Sequence, residues 1–232
     1  MPADKRASND YLVTVMAERQ NRDANMAGDT LKATTDAADL AALIARAAAQ
    51  TEGGKPGLPP VDRWEPPFCG DLDMEIRADG TWFYMGTPIG RAPLVRLFST
   101  VLRKDEDGKT YLVTPVEKVG IQVEDAPFVA VEMSASERDG VDVLTFRTNV
   151  GDVVEAGSEH PLRFSITGEN HELKPYLHVR GRLEALVSRA VMYDLVARGE
   201  VREVEGQQMF CLTSGGAVFP VMPADELDRL SR

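Results

Sequence analysis

The chain is poor in the residues from which most catalytic and metal centres are built. It has two cysteines, Cys69 and Cys211, and three histidines in 232 residues. Two thiols are too few for a disulfide framework and form no CxxC pair for zinc, so both are read as free thiols. No Ser-His-Asp order stands out, and GxSxG, HExxH, GxxxxGK[ST] and GxGxxG are all missing. No apolar run approaches the roughly 20 residues of a membrane helix. The opening MPADKRASND lacks the apolar core of a secretory signal. A soluble, cytoplasmic protein without a membrane partner is expected. Positive charge is scarce too: 26 Lys and Arg against 37 Asp and Glu leave a net charge of -11, with no basic run as a local exception. That balance repels a phosphate backbone and argues against nucleic acid. A small anion stays open, because an arginine pocket acts within a few ångströms and net charge is screened beyond about 10 Å.

What remains has globular proportions, with 43% hydrophobic and 27% charged residues. The pattern predicts an α+β protein of mainly antiparallel sheets, divided into an N-terminal helical appendage and linker (1–57), a first α+β repeat (58–124) and a second α+β domain (125–232). In the appendage, DAADLAALIARAAAQ over 36–50 carries Leu40, Leu43, Ile44 and Ala47 as one apolar stripe and reads as a helix. A further helix is expected over 11–22, and GGKPGLPP breaks regular structure after them. Met74, Ile76 and Ala78 then alternate with charges into Asp79-Gly80, a two-residue hairpin signal. A short helix over 93–102 follows the loop GTPIGR. Strands are predicted over 111–114, 118–123, 128–134, 142–148, 160–167 and 175–179, and a long helix over LEALVSRAVMYDLVARG, from Leu183 to Gly199. A hairpin around Glu205-Gly206, a strand over AVFPVM and a charged tail complete the chain. The order strand, Gly-Arg loop, helix, turn, strand occurs twice, from Trp82 and from Pro175, and is read as an internal duplication.

Several residues could carry chemistry. Asp71 and Asp73, in a predicted turn after Cys69-Gly70, could hold Mg²⁺ through oxygen ligands or position a water. Equally, Asp71 could accept backbone hydrogen bonds in that turn while Asp73 starts the strand. Cys69 has no nearby histidine as a base and reads as a small apolar residue. GTPIGR and VRGR each precede a predicted helix, where Arg91 and Arg180 could meet a phosphate or carboxylate bidentately. In FRTNVGD, Arg147, Asn149 and Asp152 end a strand, and His160 and Arg163 open the next; they converge at one sheet edge or form a solvent-facing turn. Glu117 and Lys118 read as a surface pair. His178 alternates with Leu177 and Val179, as a structural histidine or a ligand contact, and Trp82 or Tyr84 offers a stacking face.

Three functions compete. The first is a small-ligand-binding protein in which Arg91, Arg147 and Arg180 meet an anion, with Asp71, Asp73, Asn149, Trp82 and His178 around it. The second is a metal-assisted hydrolase on Asp71 and Asp73, with His160 or His178 carrying a proton. The third is an interaction module that forms a homo-oligomer, or docks on a partner, through the N-terminal helix. No cofactor and no preassembled metal site is indicated.

The stretches PPFCGDLDMEIRADGTWFYMGTPIGR, TPVEKVGI, DAPFVAVE, TFRTNVGD, HPLRF, PYLHVRGRLEALVSRAVMYDL and SGGAVFPV, from about Leu58 to Met222, resemble a proteobacterial domain-of-unknown-function family, number 1285. The resemblance implies a duplicated α+β core, a C-terminal half similar to pleckstrin-homology-like folds, a ligand site where the halves meet, a nucleotide-like ligand and a part in signal transduction. It carries over no catalytic residues.

Overall fold

The computed structural model describes residues 36–49, 58–168 and 172–230. The helix expected over 11–22 lies outside them. The other appendage helix is α1, Ala37–Ala49, begun by the Asp36 carboxylate, which accepts the Ala38 N–H at 2.6 Å. Its stripe is not an adjunct to the core: Leu40 and Ile44 are fully buried, packed with the helix that follows GTPIGR.

Among the described residues fifteen strands follow, in two six-stranded sheets and one three-stranded sheet. The first sheet comprises β1 (Phe68–Ile76), β2 (Trp82–Tyr84), β3 (Thr87–Pro88), β4 (Leu102–Lys104), β5 (Thr110–Val113) and β6 (Lys118–Val123), with α2 (Ala92–Thr100) between β3 and β4. The second comprises β7 (Phe128–Arg138), β8 (Val141–Thr148), β9 (Val153–Glu155), β10 (Leu162–Thr167), β11 (Glu172–Arg180) and β12 (Leu183–Val187). Helix α3 (Arg189–Val196) leads into the third sheet, β13 (Glu200–Val204), β14 (Gln207–Ser214) and β15 (Ala217–Pro223), and the charged tail is helix α4 (Ala224–Leu230).

The two large sheets share one topology. The first has the order β3-β2-β1-β6-β5-β4, and the second runs β9-β8-β7-β12-β11-β10. Each is a pair of antiparallel meanders joined at the centre by a parallel contact, β1 with β6 and β7 with β12. The duplication is therefore real, but in a different frame from the one the sequence suggests. Trp82 lies on the second strand of its sheet and Pro175 on the fifth strand of the other, so the two Gly-Arg loops are not equivalent positions. The sheets are mainly antiparallel, as expected, and the two parallel joins stand at their centres.

The predicted helix from Leu183 begins six residues late. Leu183, Ala185 and Val187 face the core while Glu184 and Leu186 alternate with them, which is strand periodicity. This segment pairs on one side with β11 and on the other with β7, and these ladders override its helical propensity. Ser188 then caps α3, its side chain accepting the Val191 N–H at 3.5 Å.

The β1–β2 hairpin also differs in detail. Gly80 N–H donates to the Arg77 carbonyl at 2.9 Å and Arg77 N–H to Thr81 at 3.0 Å, so Asp79-Gly80 belong to a three-residue loop with Gly80 in the left-handed region at φ 83°. The third sheet is stitched to the second by Ser214, whose buried hydroxyl donates to the Ala156 carbonyl at 2.7 Å and accepts the Leu144 N–H at 2.8 Å.

Candidate functional site

The sequence-predicted site residues do not converge. Asp71 and Asp73 stand on the outward face of β1, opposite buried Leu72 and Met74, so the Cys-Gly-Asp-x-Asp turn is a strand. Asp71 lies over Gly120, its partner across the parallel pair, where any Cβ would collide with the carboxylate. Among the described residues no group of three or more His, Cys, Asp or Glu is placed to hold a metal ion. Trp82 is buried at 1% exposure and stacks on Phe98 of α2 at 6.3 Å, so it is core and not a platform for a base. Cys69 is half-buried with its Sγ 3.6 Å from the Pro67 carbonyl.

Arg147 pairs with Glu132 across the exposed face of β7 and β8. His178 stacks on His160 with ring centroids 5.6 Å apart, its Nδ1 3.1 Å from the Glu159 carbonyl oxygen and its Nε2 2.7 Å from that of Gly181. His160 Nδ1 lies 3.1 Å from the His178 carbonyl oxygen on β11, so both imidazoles meet backbone.

Arg180 is already engaged. Its guanidinium donates to Asp152 at 2.7 Å and to the Ser99 carbonyl at 2.8 Å, and it lies over the Phe128 ring at 4.8 Å. It ties the last turn of α2 to the second sheet. Arg91 is the residue before α2, so about 12 Å of helix separates Arg91 from Ser99. The two arginines occupy opposite ends of one helix.

FRTNVGD emerges as the seam between the halves. Asn149 accepts the Val129 N–H at 3.0 Å and donates to the Gly80 carbonyl at 3.3 Å, clasping the β1–β2 loop. Arg96 of α2 donates to the Val150 carbonyl at 2.9 Å and packs where a Cβ on Gly151 would stand.

Beside this seam opens a groove of about 600 Å³, lined by Ala78 and Asp79 from the first half and by Val129, Glu172, Lys174, Pro175, Leu186, Arg189 and Met192, among others, from the second. Its floor is apolar and its charges stand at the rim. Lys174 donates to Asp125 at 2.8 Å, as does the Tyr176 hydroxyl. Burial alone would raise the Asp125 carboxyl, but these two hydrogen bonds outweigh it and hold the group below the usual carboxylate range. Burial, and then the bond to Asp125, push the Tyr176 phenol up to about 12. Arg189 donates to the Tyr193 hydroxyl at 3.3 Å and its guanidinium lies over that ring at 6.0 Å. None of the eight predicted site residues lines this groove. Lys174, Arg189 and Met192 escaped sequence reading because nothing local marks them, and Ala78-Asp79 are brought to them from about a hundred residues away.

A second polar cluster lies on the first sheet. Burial would raise Asp105, yet Arg103 at 2.6 Å and Lys118 at 2.8 Å lower it on balance. Arg103 also donates to the carbonyls of Val61 and Trp64, fixing the entry segment. Lys118 therefore pairs with Asp105, not with its neighbour Glu117.

Sequence and fold match a family with solved structures. Residues 59–126 match the domain of unknown function DUF1285, N-terminal domain, and residues 127–221 match the protein of unknown function DUF1285, C-terminal domain. The chain belongs to the DUF1285 family. Among solved structures, a DUF1285 family protein from Silicibacter pomeroyi DSS-3 is 47% identical, with a TM-score of 0.70 over 80% of this chain and 98% of that one. A DUF1285 family protein from Shewanella baltica OS155 is 29% identical, covering 54% of this chain and 91% of that one, with a TM-score of 0.44. No curated protein matches the chain. No helix among the described residues of this DUF1285 protein is long and apolar enough to cross a membrane.

Proposed function

We propose that the chain is a small-ligand-binding protein that holds an anionic, nucleotide-like molecule in the groove between its halves, with a role in bacterial signalling. The observation that carries this reading is the groove itself: about 600 Å³, lined from both halves, apolar in its floor and bearing Lys174 and Arg189 at its rim. That volume lies within the range of small-molecule sites, which combine apolar walls with a few placed polar groups. The cations would meet the anionic group, and Asp79 and Glu172 could accept hydrogen bonds from a sugar or base. A ligand touching both halves would bias their seam. The C-terminal half supports the pleckstrin-homology-like comparison to the extent that a three-stranded antiparallel sheet, in contact with α4, packs on a larger sheet.

The test is thermal unfolding of the full chain with a panel of nucleoside mono- and triphosphates and cyclic nucleotides. Saturation at a hundred times the dissociation constant adds about 2.7 kcal/mol of stability, a rise of roughly 5–10 °C for a chain of this size. Arg189→Glu, on an exposed side chain, abolishes the rise. A panel that leaves the wild type unmoved, or a shift that survives Arg189→Glu, overturns the proposal. The hydrolase reading rests on Asp71 and Asp73, and Mg²⁺ titration of Asp71→Ala against the wild type tests it. The interaction reading needs a free apolar face on α1, whereas Leu40 and Ile44 pack internally.

A further inference from the structure

The β2–β3 ribbon turns through Met85-Gly86, and both residues are left-handed, at φ 49° and 70°. Glycine adopts that conformation freely, but a long side chain there is strained by roughly 1 kcal/mol or more. The strained Met85 is 52% exposed. It lines a second groove, of about 500 Å³, enclosed by the ribbon, the start of α1 and the start of α2. Its apolar lining comes from Tyr84, Met85, Ile89 and Leu94. Two charges share it. The Asp36 carboxylate is occupied by the Ala38 N–H. The Arg91 guanidinium has no hydrogen bond or ion pair among the described residues, whereas those of Arg96 and Arg103 nearby in sequence are each fixed to backbone carbonyls. One uncommitted guanidinium therefore borders a groove whose lining mixes polar groups with the side chains of Met85, Ile89 and Leu94.

We propose that this groove binds a small monoanionic carboxylate with an apolar body, the carboxylate on Arg91 and the body against Met85, Ile89 and Leu94. Charge complementarity selects the class. A single guanidinium matches one carboxylate bidentately. A phosphate monoester, near -2 at neutral pH, would leave uncompensated charge facing Asp36. The volume accommodates an alkyl or aryl acid. The site is separate from the groove between the halves and shares no lining residue with it.

Trp82 and Tyr84 share the buried side of β2, so indole fluorescence reports on the groove. In full-length Trp64→Phe protein, which leaves Trp82 as the sole tryptophan, decanoate at submillimolar concentration is titrated beside decanol and decyl phosphate. Saturable decanoate binding is expected, weakened about tenfold or more by Arg91→Gln, as loss of a charged hydrogen bond implies. Arg91→Lys retains part of the affinity, and decanol binds weakly with no response to either change. The proposal is overturned by absence of a saturable decanoate signal together with absence of a decanoate-induced thermal shift, by equal decanoate affinity in wild type and Arg91→Gln, or by decyl phosphate binding at least as tightly as decanoate. Nucleotide-induced shifts stay unchanged in Arg91→Gln and are lost in Arg189→Glu, so failure at either groove is separable from failure at the other.

Discussion

The two six-stranded sheets follow the same path and are closed by different means. In the first, α2 fills the connection between the third and fourth strands and buries Phe98 against Trp82, with α1 packed outside it. In the second, residues 156–161 make the same connection without a helix, and the third sheet packs there instead, stitched by Ser214. A shared strand order therefore constrains hydrogen-bonded neighbours but not what covers the sheet. The seam depends on that difference, because α2 of the first half is the element that Arg180, Val150 and Gly151 meet, while Asn149 holds the β1–β2 loop.

The largest test of this comparison removes a core ring from each half. Phe98→Ala and Phe146→Ala, both at fully buried positions, are each expected to cost about 3–5 kcal/mol. Both tryptophans, Trp64 and Trp82, lie in the first half, so fluorescence follows that half while far-ultraviolet dichroism follows both. Coincident urea transitions in both variants would show that the halves unfold as one unit; separated transitions, with only one moved by each substitution, would break the seam's energetic role.

Next come the seam residues. Gly151 holds φ 92° and carries Arg96 where its Cβ would be, so Gly151→Ala should cost about 1–3 kcal/mol. Arg180→Met leaves the Ser99 carbonyl and Asp152 without their donor and is expected to lose a similar 1–3 kcal/mol. Equilibrium denaturation checks both, and unchanged midpoints would show that the halves meet by apolar contact alone.

Acid sensitivity is smaller and compares the two polar clusters. Asp105 and Asp125 are lowered in the folded state, so the stability they contribute is fully present above the unfolded carboxylate value of about 4 and is lost as pH falls through their folded values. Asp105→Asn and Asp125→Asn should each flatten the acid limb of a melting-temperature profile below about pH 4. An unaltered limb in either variant would assign the acid response elsewhere. The phenols of Tyr111 and Tyr176 are raised to about 12, Tyr111 by its bond to Asp107 and then burial. Their contribution is intact below about pH 10 and declines as pH rises toward 12. The smallest effect is expected of Arg147→Gln, which removes an exposed pair with Glu132 and should leave the melting temperature unchanged within error.

Legibility followed the range of the interaction. The strand over 118–123 is β6 to the residue, because its period-2 pattern is bounded by local turns. The helix after GTPIGR follows its i, i+3, i+4 apolar spacing, and the hairpin at Glu205-Gly206 follows its turn residues. The three-residue strand β9 was invisible, being too short to show a period. LEALV carried both periods at once, and only its pairing with β7 and β11 chose the strand. At the candidate sites, neighbourhood in the chain does not give neighbourhood in space. Arg180 had a protein acceptor 81 residues away, and Arg91 stood at the far end of the same helix.

Local pattern alone sets the class, most strands, the helices after Asp36 and after GTPIGR and the turns, since propensity, alternation and turn chemistry act within a few residues. Tertiary structure alone decided the parallel closures, the frame of the duplication, which arginine was committed and which was left uncommitted, and where the two grooves open. Those depend on the register between segments tens of residues apart, and no local pattern encodes a distance that only the packed sheets create.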